Sequence, residues 1–163
     1  MRRLVLMIPA LALLAGMWLP GPSRANPGAQ RPLVVIVGTS AGMSDISLAL
    51  LRRTFQGEPA HTKTGKRLVP LNHQLGSKER VFFDRVVLGL EPSQVGQFWI
   101  DRRIRDQGVP PRTLPSPDFA VRVVVSYPGA ITYVNAHAMP SSVQVLRVDG
   151  KLPGEAGYLL QGD

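Results

Sequence analysis

Residues Leu33-Val34-Val35-Ile36-Val37 are five consecutive aliphatic residues, four of them β-branched. A run this short, without polar alternation, predicts a strand covered on both faces. Further strand-like runs fall at Lys66–Asn72, Ala130–Val134 and Val143–Val148, with Tyr158–Leu160 as a short last one. Helical signals lie between them. Ser44 or Asp45 can cap a helix through Phe55, which Gln56-Gly57 ends. Ser77 is placed to cap a second through Leu88, stopped by Gly89. Pro92 opens a third that carries Val95, Phe98, Trp99 and Ile104. Ser116-Pro117-Asp118 combines a cap, a first-turn proline and an acid at the positive dipole end, and starts a fourth. Phe119, Ala120, Val123, Val124 and Tyr127 form its apolar face, and the recurrent aromatics are expected to pack in the core. Strands alternating with helices predict an α/β domain with a mixed, mostly parallel sheet flanked by helices.

The first residues are excluded from that domain. Met1-Arg2-Arg3 is basic, Leu4 to Leu19 is almost wholly apolar, Pro20-Gly21-Pro22 breaks the run, and Ser23-Arg24-Ala25 supplies small residues before a cut. This predicts a secretory signal peptide over residues 1–25, a loose lead-in over 26–32, and one domain over 33–163. A membrane anchor is the alternative, but the run is short for a span and contains Pro9. Removing residues 1–25 from the 163 leaves 138 and takes away three arginines and no acid, so the formal charge falls from +8 to +5. That size suits a single core, and that charge favours anionic partners without naming one. There are no cysteines. Export without disulfides fits a bacterial periplasm. No aromatic-basic stripe suggests nucleic acid. His61, His73 and His137 lack metal-ligand spacing, so no metal or cofactor is expected.

One motif suggests an enzyme. Gly38-Thr39-Ser40-Ala41-Gly42 has the G-x-S-x-G form of a nucleophile elbow, and Asp101 or Asp118 followed by His137 supplies an acid-then-histidine order. However, the motif follows the first strand, so no upstream strand can provide the second oxyanion donor. The chain is also short for a hydrolase sheet, and the next helix start fits Ser44 better. A Ser40 hydrolase is therefore a remote alternative to a plain glycine-rich turn, and the expected function is not enzymatic.

A second feature is more informative. Leu50-Leu51-Arg52-Arg53-Thr54-Phe55-Gln56-Gly57, Val69-Pro70-Leu71-Asn72, Gly76-Ser77 with Arg80 and Phe83, Pro128-Gly129-Ala130-Ile131-Thr132-Tyr133-Val134 and Val145-Leu146-Arg147-Val148-Asp149-Gly150 occur in this order. Together they resemble the phosphate-binding family of ABC-transporter periplasmic substrate-binding proteins, in particular its short, single-lobe members. The resemblance implies a lobe of the periplasmic-binding-protein type II kind, phosphate or a similar oxyanion as ligand, and an ABC transporter permease or another envelope protein as partner. It also points to Gly76 and Ser77 as the ligand turn, with Lys78 and His73 around it. The physical reading of the turn agrees: a hydroxyl and the unpartnered N–H groups of a first helical turn suit an anion. Thr39 and Ser40 would join the site if both strand ends lie at one sheet edge.

The chain departs from the family pattern Arg-x-x-Gly-Ser-Gly-Thr, where it has His73-Gln74-Leu75-Gly76-Ser77-Lys78-Glu79. The arginine is replaced by histidine, and Glu79 places a carboxylate in the first turn, where it repels a second anion. Ordinary helix capping without a ligand stays open, and with it a ligand-free periplasmic interaction module that kept the fold. Mass spectrometry of the exported protein is expected to give a mature N terminus at Asn26.

Overall fold

The computed structural model describes residues 32–136 and 140–162. The expected signal peptide and cleavage site, and His137, lie outside the described residues. The elements in order are β1 (Leu33–Gly38), a 3-10 turn (Thr39–Ala41), β2 (Asp45–Ile46), α1 (Leu48–Phe55), β3 (Val69–Asn72), α2 (Lys78–Phe83), α3 (Val95–Ile104), β4 (Arg112–Thr113), α4 (Pro117–Ser126), β5 (Ala130–Asn135), β6 (Val143–Val145) and β7 (Arg147–Val148). α2 runs without a break into a π-helical turn over Asp84–Leu88, which Gly89 ends in the left-handed conformation.

The main sheet has the order β4-β3-β5-β1-β6, and β2 pairs with β7 in a separate two-stranded sheet. β3 is parallel to β4 and β5, and β2 is parallel to β7, whereas β1 is antiparallel to β5 and β6. This is a mixed α/β architecture in which most pairings are parallel. Every residue of β1 is buried, as its aliphatic run predicts. Its side chains alternate between two cores. Leu33, Val35 and Val37 join Leu51 and Phe55 of α1 with Phe83 and Val87. Val34 and Ile36 join Ala120 and Val124 of α4. The sheet is thus sandwiched, with α1 and α2 on one face and α4 on the other.

Local chemistry sets the helix starts. The Oγ of Ser77 accepts from Arg80 N at 3.3 Å and that of Ser116 from Phe119 N at 3.2 Å, as their positions predict. The first helix differs from expectation. Asp45 and Ile46 pair with Arg147 and Val148, so the cap moves to Ser47, whose Oγ accepts from Leu50 N. The pairing also splits the expected Val143–Val148 strand: β6 lies on β1, Leu146 N donates to Val35 O, and β7 turns to β2. Tyr158–Leu160 is not a strand, yet it closes the edge of β1, with Leu33 N donating to Leu160 O and the Tyr158 hydroxyl to Leu33 O.

The third helix packs less than its apolar residues suggest. Among its ten residues only Val95 is buried, and Ile104 is 78% exposed. Phe119 and Tyr127 are also exposed rather than in the core. Among the described residues no helix is long and apolar enough to cross a membrane.

Gly129 joins α4 to β5 with φ +97°, and a Cβ there would sit 2.3 Å from the Arg67 carbonyl oxygen. Both the backbone conformation and the close approach to another main chain require glycine. Gly129→Ala, which at a compatible site would stabilise slightly, is therefore expected to destabilise the protein by more than ~1 kcal/mol, measured by urea denaturation.

Candidate functional site

β3 ends at Asn72, and the chain then turns through His73-Gln74-Leu75-Gly76 into α2. Gly76 has φ +80°, and a Cβ built there meets nothing within 4 Å. Ser77 N donates to Gln74 O at 3.2 Å, which tightens the turn. Gly76 and Lys78 are exposed, and Ser77 and Glu79 are half-buried. The Gly-Ser turn therefore opens outward at the head of a helix. Glu79 lies in that first turn, and its Oε1 accepts from Asn135 Nδ2 at 2.6 Å. One carboxylate of the protein is thus held against the end of β5 beside the turn.

A buried polar network lies beneath. Asn72 Oδ1 accepts from His73 N at 3.0 Å and from the Tyr133 hydroxyl. His73 is 4% exposed, and its Nε2 lies 2.5 Å from the Tyr133 carbonyl oxygen, which makes Nε2 the protonated donor. Arg80 Nη1 donates to His73 O at 3.1 Å, and Arg80 Nε pairs with Asp84 Oδ2 at 2.6 Å. The Tyr133 ring stacks on Phe83 with centroids 3.8 Å apart. Burial pushes the Tyr133 hydroxyl well above the ordinary tyrosine range, so it is a fixed neutral donor. Burial likewise raises the Asp84 carboxyl, against the attraction and hydrogen bond of Arg80.

The six residues singled out in the sequence do not form one cluster. Gly76, Ser77 and Lys78 are contiguous at the head of α2. His73 precedes them, but its ring faces inward and ties the end of β3 to β5. The expected histidine on the ligand side is corrected accordingly. Thr39 and Ser40 are exposed at the opposite end of the sheet. The registers establish this: β1 is antiparallel to β5 while β3 is parallel to it, so the carboxyl ends of β1 and β3 point in opposite directions. Glu79 reaches Asn135, which faces Leu33 at the start of β1, whereas Thr39 follows Gly38 at its end. The length of β1 separates the two segments by about 17 Å at the usual rise per strand residue. Ser40 also lacks an elbow's setting, because its 3-10 turn leads to β2 and not directly into a helix. Its carbonyl accepts from Lys66 Nζ at 2.5 Å.

Sequence reasoning missed Arg80 and Asp84 as a buried pair. Their spacing of four on a helix was available as a signal, but this pattern usually marks an exposed ion pair.

Similar folds occur among solved structures. An ABC-type phosphate transport receptor from Vibrio cholerae superposes with a TM-score of 0.65 at 13% identity, over 82% of this chain and 55% of that one. PstS from Borrelia burgdorferi gives 0.63 at 15%, over 83% and 56%. A Clostridium perfringens protein described as a phosphate ABC transporter substrate-binding protein, solved with bound phosphate, gives 0.60 at 18%, over 75% and 46%. The fold is of the periplasmic-binding-protein kind. This chain spans about half the length of each of these proteins. No protein-family model matches the chain, and no curated protein sequence does.

The Arg80–Asp84 pair makes a direct prediction. Arg80→Met leaves the Asp84 charge buried without its partner and is expected to lower stability by about 3–5 kcal/mol. The double variant Arg80→Met with Asp84→Leu is expected to recover most of that loss. Chemical denaturation of the three proteins measures both effects.

Proposed function

We propose that this chain is an exported, periplasmic solute-binding-type lobe that takes phosphate or a similar small oxyanion for an ABC transport system. Gly76, Ser77 and Lys78 carry the binding role. The observation that carries the reading is the outward-facing Gly76-Ser77 turn at the head of α2, in a fold shared with phosphate receptors. An anion can approach the main chain closely at Gly76, where no side chain intervenes. The Ser77 hydroxyl accepts the capping hydrogen bond and still has its own proton to donate. First-turn N–H groups and the exposed Lys78 add positive potential. The similar structures are binding proteins, and no catalytic step is proposed.

The site faces solvent on one side, so its attraction for an anion is weak and screened by salt. Glu79 weakens it further. These features favour a second reading, a ligand-free interaction module that kept the fold and contacts an envelope partner. Its specific support is the Glu79–Asn135 hydrogen bond at 2.6 Å beside the turn, with His73 turned inward.

Calorimetric titration with phosphate at low ionic strength separates the two. The binding reading expects weak, salt-sensitive binding. It also expects Glu79→Gln, which keeps the acceptor for Asn135, to bind about two- to fivefold more tightly, the equivalent of about 0.4–1 kcal/mol of dipole-scale electrostatics. If neither protein takes phosphate at millimolar concentration, the binding role is lost and the interaction module stands.

A further inference from the structure

The outer edge of the main sheet and α4 leave a groove of about 620 Å³ between them. β4 is the edge strand, and among the described residues no strand lies beyond it. Leu114 N donates to Asn72 O, and Thr113 stands opposite Asn72. Successive residues of a parallel strand turn their N–H and C=O to opposite edges, so Thr113 directs both of its main-chain groups away from β3. Such an edge is a template for a further strand. The groove beside it is apolar, with Leu71 and Leu114 from the sheet, Phe119 and Val123 from α4, and Tyr127 just after that helix. Phe119 is 39% and Tyr127 54% exposed, so two large rings stand uncovered on one groove. Its charge has one sign. Arg112 lines it, and the Arg122 guanidinium lies 5.4 Å from the Phe119 ring centre. Neither arginine makes an ion pair among the described residues. Asp118 is exposed in the first turn of α4, where it complements the helix dipole, and is not part of the groove lining.

We infer that this groove docks an extended segment of a partner protein, one with apolar side chains at alternate positions and a carboxylate beyond them. The segment lies along β4 as an added strand. Thr113 then gains main-chain partners, the apolar side chains fill the groove against Phe119 and Val123, and the carboxylate meets Arg112 and Arg122. No other occupant uses all three features. A small apolar molecule would fill the groove and leave the Thr113 edge and both arginines unused. A second copy joined edge to edge would bring its Arg112 beside this one, and like charges across a strand pair are destabilising. β4 is two residues long, so the main chain sets the register while the groove and the arginines carry the specificity. Gly76, Ser77 and Lys78 do not line the groove, so this inference does not rest on phosphate binding.

The probe is the peptide acetyl-Thr-Val-Thr-Val-Thr-Glu-amide, whose valines and glutamate share one face of a strand. Amide NMR of the purified protein is expected to show it shifting Thr113 and Val123 saturably at millimolar concentration. An analogue ending in lysine in place of glutamate is expected to bind about fivefold more weakly, the scale of one exposed ion pair. An analogue N-methylated at its two central residues keeps the side chains but loses donors toward either edge, and is expected to bind about fivefold more weakly, the scale of one net hydrogen bond. Arg112→Glu is expected to reverse the preference, taking the lysine peptide over the glutamate one. Arg122→Glu serves in its place if that variant does not fold. No saturable shift with the parent peptide would overturn the proposal. Equal binding of the N-methylated analogue, or a preference that ignores the charge reversal, would reduce the site to an apolar patch and overturn it too. Thr113 shifts that follow protein concentration without peptide would assign the groove to a second copy, with the same consequence.

Discussion

The two-sided burial of β1 and its antiparallel pairing with β5 constrain everything else in this fold. A strand without a solvent face must have its backbone groups paired on both edges and its side chains covered above and below. β5 and β6 supply the edges, and the two helical layers supply the cover. The direction of β1 then decides which loops meet. Because β3 runs opposite to it across β5, the Thr39-Ser40 turn and the Gly76-Ser77 turn are placed at opposite ends of the sheet. No side-chain movement can bring them together, since their separation is the length of the strand itself.

The end of β3 is held by polar rather than apolar contacts. Asn72, His73, Tyr133, Arg80 and Asp84 form one buried network that joins β3, β5 and α2. Such a network defines one geometry when each member is partnered and is costly when one is not. Asn72 Nδ2 and Asp84 Oδ1 are the members of this network without a partner among the described residues. The network also decides which way the His73 ring faces. His73 occupies the place where the resembled family carries an arginine, and its ring supports the strand end from inside. Positive charge at the Gly-Ser turn is left to the helix dipole and Lys78, with Glu79 opposing both.

Much of the local structure was legible. The Ser77 and Ser116 caps, the glycine stops and the β1 run all fall where side-chain chemistry places them. The errors cluster where distant pairing overrides a local signal. Ser44 and Asp45 look like caps, but Asp45 and Ile46 gain partners in β7, a hundred residues away, and the cap shifts to Ser47. Val143 to Val148 reads as one strand, but its two halves serve different sheets. Ile104 and Phe119 follow helical spacing, yet spacing says which residues share a face and not whether another element covers that face.

For the candidate site, the sequence alone determined the Gly76-Ser77 turn and the helix it starts. Glycine's backbone freedom and serine's capping hydroxyl are properties of single residues and their nearest neighbours. Only the tertiary structure decided that Thr39 and Ser40 lie elsewhere, that His73 faces inward, and that Arg80 and Asp84 form a buried pair. Those outcomes depend on strand direction and helix packing, which are set by contacts between residues far apart in the chain.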